Sequence, residues 1–253
     1  MTAVIARPRV AIDPRLRARR VAVRRDEGRR RLRRLLVALG VLTVAGLGVA
    51  VVYSPLLAVN RVEVRGAGPT RSTVLAAAHL GAGAPILFVD AGGTAAVVRR
   101  LPAVASAHVE RSFPHTVTLT VTLRVPVAWA PAGPTGAALV DAHGVVISRT
   151  PTAPVGLPEL VGLAKVPAPG ARVAPLGPAA LAAALAPVLP GRVVGVTLGP
   201  TGLTVGVIAG PQLRFGDATA LATKARAAAA LLGALLRPAS YVDVSVPDAP
   251  VAG

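Results

Sequence analysis

The sequence predicts an α+β fold carried behind a single membrane span. An uncharged apolar run fills residues 35–53. A strand, helix, helix, strand, strand order follows between residues 59 and 125. The rest reads as short, mostly antiparallel strands with two helices.

The run from Leu35 to Tyr53, LLVALGVLTVAGLGVAVVY, lies in a stretch with no Asp, Glu, Lys or Arg between Arg34 and Arg61. Nineteen helical residues rise roughly 28 Å, close to the hydrocarbon thickness of a bilayer. A helix also satisfies every backbone polar group within that layer. A buried core helix would show a polar stripe or an earlier break. Residues 1–34 hold thirteen Arg against Asp13, Asp26 and Glu27, a net charge of +10. The positive-inside rule therefore puts the N-terminus in the cytoplasm and residues 61–253 outside. A cleaved signal would carry an apolar region of about 7–15 residues with a small-residue cleavage site. The longer run, followed by Ser54-Pro55-Leu56-Leu57, predicts an uncleaved anchor. Gly46 and Ala50 form a small-xxx-small pair, a weak signal for helix pairing.

The total charge of +17 resembles a nucleic-acid signature until it is divided, because ten charges sit in the tail. That tail has no aromatic residue to stack on bases, so contact with anionic lipid accounts for it better than nucleic acid does. Its low apolar content predicts disorder. There is no cysteine, so an ordinary apolar core and not disulfides must hold the exported part. Arg outnumbers Lys 26 to 2, a bias of GC-rich coding more than of function.

Outside the span, Val59–Arg65 alternates as a strand and Gly66-Ala67-Gly68-Pro69 turns the chain. Thr70 is the expected N-cap of a helix reaching about Leu80, and a second helix fits Gly93–Leu101. Val104–Arg111 is a strand. Thr116–Val125 shows the clearest pattern, with Val117, Leu119, Val121, Leu123 and Val125 alternating against polar residues, as a half-buried strand requires. Two helices on one face of a three-stranded sheet would bury both apolar faces.

Beyond Pro126, Ala137–Asp141 and Val145–Ser148 flank a hairpin turn. Residues 150–170 carry five prolines and predict a loop or an extended edge segment. Pro178–Ala186 fits a short helix. Arg192–Leu198 and Leu203–Ile208 form another hairpin, and Gln212–Phe215 adds a strand. Asp217 is the expected cap of a helix from Ala218 to about Leu236, with Leu221, Ala225, Ala228, Leu232 and Leu235 as its apolar stripe and Lys224 and Arg226 off it. Tyr241–Val246 closes the chain as a strand stopped by Pro247 and Pro250. If it lies last in its sheet, a partner strand can add to its free edge, or water can solvate that edge.

Catalytic constellations are scarce. His79, His108, His115 and His143 lie on different elements without metal-ligand spacing. No G-x-S-x-G surrounds a serine, and the eight acids outside the span form no suggestive pair. Gly66-Ala67-Gly68 lacks the third glycine of a dinucleotide loop, since position 71 is Arg71. The expectation is a non-catalytic binding or scaffolding protein with no cofactor, metal, nucleic acid or small-molecule substrate.

Several motifs then resemble the FtsQ/DivIB family of bacterial division proteins. Val59-Asn60-Arg61-Val62-Glu63-Val64-Arg65-Gly66 looks like the first strand of its POTRA domain. Arg111-Ser112-Phe113-Pro114-His115-Thr116-Val117 resembles the turn before the third strand. Arg124-Val125-Pro126-Val127-Ala128 resembles the E-R-x-P-V-A exit, and Leu139-Val140-Asp141-Ala142-His143-Gly144-Val145 the L-V-D-x-x-G-V hairpin. Leu213-Arg214-Phe215-Gly216-Asp217 with Lys224 is similar to the entry of the long helix, and Ser240-Tyr241-Val242-Asp243-Val244 to the closing strand. Leu123 stands where an acid is usual, leaving Arg124 without that neighbouring charge, and Phe113 where Trp is common.

The resemblance implies a basic cytoplasmic tail (1–34), a transmembrane helix (35–57), a POTRA domain (58–126), an FtsQ-type β domain (127–248) and a short C-terminal tail (249–253). It also implies a divisome scaffold of the plasma membrane, concentrated at the septum, that recruits FtsB- and FtsL-type partners and through them connects with FtsW and FtsI. Strand addition would engage Tyr241, Val242 and Asp243 most directly, with Val244, Ser245 and Val246 as backbone donors and acceptors. The rivals are a membrane-anchored extracytoplasmic hydrolase, a POTRA-bearing transport protein and a polybasic signalling anchor.

Overall fold

A computed structural model of the chain describes residues 14–81, 83–134, 136–234 and 239–253, with side chains described from Arg30 onward. Helix α1 runs from Pro14 to Val52, and its part from Arg30 to Val52 is long and apolar enough to cross a membrane. None of that part is buried against the protein, and Leu42 stands 69% exposed. Water would penalise so much apolar surface, whereas acyl chains accept it. The disorder expected of the tail gives way to helix from Pro14 onward. Arg is a good helix former, and extending an existing helix avoids the cost of nucleation. Residues 1–13 of that tail lie outside the described residues.

The first unit follows the expected order: β1 (Arg61–Arg65), α2 (Arg71–Ala78), α3 (Ala91–Val98), β2 (Val104–Ser112) and β3 (Thr116–Leu123). In space the sheet runs β1-β3-β2, with β1 parallel and β2 antiparallel to β3. Val117, Leu119 and Val121 are buried with Val64, Val74, Ile86 and Val98. Local details differ from expectation. Thr70 does not cap α2, because its hydroxyl donates to the carbonyl of Ala67. That helix stops at Ala78, where His79 turns left-handed at φ 47°. The next helix starts earlier than Gly93 because Asp90 caps it, accepting the Gly93 N–H at 2.9 Å. Gly66 sits at φ +78°, and a Cβ there would overlap the carbonyl oxygen of Val121. A close backbone approach, not phosphate binding, explains that glycine.

The second unit is one nine-stranded sheet: β4 (Pro126–Pro131), β5 (Ala137–Asp141), β6 (Val146–Thr150), β7 (Glu159–Val161), β8 (Val193–Gly199), β9 (Gly202–Val207), β10 (Gln212–Gly216), β11 (Tyr241–Asp243) and β12 (Val251–Ala252). Its order is β12-β11-β10-β9-β8-β7-β4-β5-β6. Helices α4 (Gly177–Leu185) and α5 (Leu221–Ala234) share its core, where Leu181, Leu185, Val196, Phe215, Ala225 and Val242 are buried together. Both hairpins stand where the sequence puts them. The proline-rich stretch holds a surprise: β7 is neither loop nor edge but central, parallel to β4 on one side and β8 on the other. Trp129 of β4 secures it, donating from Nε1 to the carbonyl of Leu157 at 3.1 Å.

Arg124, leaving the first unit, donates to Asp141 Oδ2 at 2.6 Å. The carboxylate also accepts the N–H groups of His143 (2.9 Å) and Val145 (2.7 Å) through Oδ1. Burial alone would raise its pKa. The Val145 N–H, the Arg124 guanidinium and the His143 N–H overcome that and hold it below the usual carboxylate range.

Candidate partner-binding edge

The closing strand owes its position to the helix before it. Strands β10 and β11 run parallel, pairing Leu213 with Val242 and Arg214 with Asp243. Leu213, Phe215, Val242 and Val244 are fully buried in the core that includes Ala225 and Ala228 of α5.

Helix α5 is fixed by Lys224, 2% exposed, which the periodicity placed off the buried stripe. Its ammonium donates to the carbonyls of Phe215 (2.9 Å) and Asp217 (3.2 Å) and to Asp217 Oδ1 (2.6 Å). A buried charge is tolerated because all three of its N–H donors find oxygens. Asp217 does not cap the helix directly. It precedes the first turn at Leu221, binds the Thr219 N–H and hydroxyl, and is drawn down to a pKa of about 2 by Lys224 and Thr219. Leu235 and Leu236, the expected last turn, lie outside the described residues.

The direction of each main-chain group along β11 decides what the edge can bind. The Ser240 carbonyl accepts the Gln212 N–H, and the Val244 N–H donates to Arg214. The Ser240 carbonyl and the Val244 N–H therefore face inward to β10, while the Ser240 N–H already turns outward to the Gly253 carbonyl at 2.7 Å. Tyr241 bonds outward: its N–H donates to the Gly253 carbonyl at 3.0 Å and its carbonyl accepts the Gly253 N–H at 3.1 Å. Antiparallel alternation makes Asp243 and Val251, which are in register, the next outward pair.

This arrangement corrects the sequence reading in two respects. The strand is Tyr241–Asp243 only. Val244 still bonds to β10, but the Ser245 N–H turns to Asp243 Oδ1, and the Val246 carbonyl accepts the Ala249 N–H in a reverse turn. Nor is the edge free, since β12 covers it. Pro247 and Pro250, read as a stop, flank the turn that brings the chain back.

The covering strand is slight. Val251 is 56% exposed, and Ala252 and Gly253 are exposed as well. Strand β12 buries no side chain and is held by main-chain bonds alone. Gly253 sits against the Tyr241 ring, where a Cβ would lie 2.8 Å from its atoms.

The exposed face beside this edge is polar. The Arg214 guanidinium lies 4.1 Å from the Tyr241 ring centroid, a cation–π contact that fixes the ring. The Ser245 hydroxyl and N–H lower the pKa of Asp243, with help from the charge of Arg214. Thr204, Gln212, Arg214, Asp243 and Ser245 line a shallow depression there. Sequence reasoning missed Arg214 as part of this surface, although its alternation with Leu213 and Phe215 was a usable signal. It also missed Val251–Gly253, because two residues carry no period. The four histidines stay on separate elements, and no group of three or more His, Cys, Asp or Glu among the described residues could hold a metal ion.

Residues 57–124 match the family model of the FtsQ-type POTRA domain. The chain is 34% identical over 220 residues to the cell division protein FtsQ of Mycobacteroides abscessus, covering 85% of this chain and 68% of that protein. It is 35% identical over 235 residues to FtsQ of Streptomyces venezuelae, covering 86% of this chain and 83% of that protein. FtsQ of Mycolicibacterium smegmatis is 35% identical over 218 residues, but the matched part spans only 61% of that protein.

Proposed function

The chain belongs to the FtsQ family of cell-division proteins, and from that premise we propose that it is a non-catalytic scaffold that captures FtsB- and FtsL-type partners by strand addition beside β11. It is a membrane-anchored division protein. In this reading the arginine-rich end faces the cytoplasm and the two folded units face outward. Concentrated at the septum, they link early division proteins to the synthases FtsW and FtsI.

The observation that supports the reading is the outward main-chain pairing of Tyr241 and Asp243, shielded only by an exposed two-residue strand. A partner strand would displace β12 and take over those hydrogen bonds. Val242 and Val244 stay in the core throughout, while Ser245 and Val246 shape the end of the groove. Arg214 and Tyr241 would offer the incoming strand a rigid cationic and aromatic flank.

The test is depletion followed by rescue. Cells lacking the protein should filament, and the wild-type chain should restore septa and mid-cell placement. An Asp243→Pro chain, which loses an outward N–H, should fold and reach the membrane yet fail to pull down the FtsB-type partner. Retained capture by that folded variant would refute strand addition, and normal division on depletion would refute the divisome role.

A further inference from the structure

A second surface lies where the span delivers the chain to β1. Two pieces of backbone bring three distant segments to this one end. The N–H groups of Asn60 and Arg61 both donate to the His115 carbonyl, so the Phe113-Pro114-His115 turn is level with the start of β1. The Val59 N–H donates to the Ala84 carbonyl and Ala58 bridges Pro85, which brings Leu87 and Phe88 to the same level. Arg111 ties the last two together by donating to the Leu87 carbonyl at 3.1 Å.

Apolar side chains crowd this end without being buried. Leu56 is 74% exposed, Phe88 65% and Phe113 58%. All three Phe of the chain are Phe88, Phe113 and Phe215, and only Phe215 is in a core. The ring of Tyr53, the residue after the last turn of α1, lies 6.0 Å from that of Phe88. The apolar surface is thus continuous with the span. Arg61 and Arg111 are exposed beside it, and Asp90 is the acid closest in sequence to the Phe88 turn.

The geometry points to this end of the first unit as a lipid-contacting face, resting in the headgroup layer of the membrane that α1 crosses. Leu56, Phe88 and Phe113 enter the boundary between headgroups and acyl chains, while Arg61 and Arg111 reach lipid phosphates. Aromatic rings and arginines at that depth match the polarity gradient there. A soluble surface would have little reason to expose two of three phenylalanines on adjoining turns. Contact at several points would hold the first unit at a fixed tilt and define the height of everything built on it.

The absence of cysteine makes the test direct. Full-length Phe113→Cys and Arg65→Cys chains, each spin-labelled, are reconstituted in vesicles of phosphatidylethanolamine and phosphatidylglycerol. Arg65 is exposed at the far end of β1 and reports the water-facing side. The label at position 113 should lose most of its relaxation by a water-soluble nickel chelate and gain relaxation by oxygen, while the label at 65 keeps the reverse. Leu56→Cys gives a second reporter should the turn variant not fold. Equal chelate access at all sites in vesicles would overturn the proposal. So would protection of position 113 in cells but not in vesicles, since a protein and not lipid would then cover the face.

Discussion

Arg124 and Asp141 join the two folded units through a 2.6 Å ion pair, with the Asp141 side chain 5% exposed and that of Arg124 20%. Leu123 puts no charge beside Arg124 in sequence, and Asp141 of the first hairpin supplies one from across the junction. Breaking such a pair strands a buried charge, so Arg124→Leu should cost about 3 kcal/mol in chemical denaturation. Because the Asp141 carboxyl is held below its unfolded value, its contribution is fully present above about pH 4 and disappears as acid protonates it in the folded state. Wild-type stability should therefore fall more steeply on acidification below about pH 4 than that of Asp141→Asn.

Lys224 anchors the helix behind the candidate edge. Lys224→Met keeps the length of the side chain but leaves the Phe215 and Asp217 carbonyls unpaired. A loss of about 2 kcal/mol is expected in urea unfolding. Asp217→Asn, at an exposed position, should leave the midpoint nearly unchanged and so separate the lysine's structural role from the surface pair.

Gly66→Ala should be far worse than its size suggests. The left-handed backbone costs an alanine about 1 kcal/mol, and the methyl group must also push the Val121 carbonyl away. The expected outcome is a first unit that limited proteolysis cuts between β1 and α2 while the nine-stranded sheet resists.

The strand covering β11 should weaken partner capture. Val251→Pro removes an N–H that pairs with Asp243 without touching a buried side chain. One main-chain bond contributes about 1 kcal/mol net, so partner affinity should rise about fivefold by calorimetry. Val244→Pro, which cuts the inward bond to Arg214, should unfold the sheet edge and abolish capture. Weaker binding by Val251→Pro would mean that β12 belongs to the partner site.

Legibility in the sequence tracked how much each residue's neighbours repeated its pattern. Strand β3 was plain because Val117, Leu119 and Val121 alternate over a length that no helix could imitate. The Ala137–Asp141 hairpin was plain because the turn and both flanks agreed. Strand β7 was hidden, since Glu159-Leu160-Val161 sits among prolines and is too short to show a period. It becomes central only through parallel partners far away in sequence. Lys224 was misplaced because periodicity scores a lysine as polar, and only the carbonyls of Phe215 and Asp217 make its burial tolerable. At the edge, Tyr241–Asp243 could be found by pattern. Its inward and outward groups, and the return of Val251, depend on which strand lies beside it.

The three residues of β7 have a consequence for how the sheet is assembled. On one side β4, β5 and β6 follow each other as neighbours, and on the other β8, β9 and β10 do the same. Each block can form from nearby segments with little loop closure, but Glu159–Val161 must be threaded between them with both of its pairings parallel. Such pairings form slowly because their loops close before any contact repays the lost entropy. The seam at Leu160 therefore joins two halves that are each connected locally. A chain caught before it closes would present two half-sheets with bare central edges, the form most exposed to proteases and to pairing with the wrong strand.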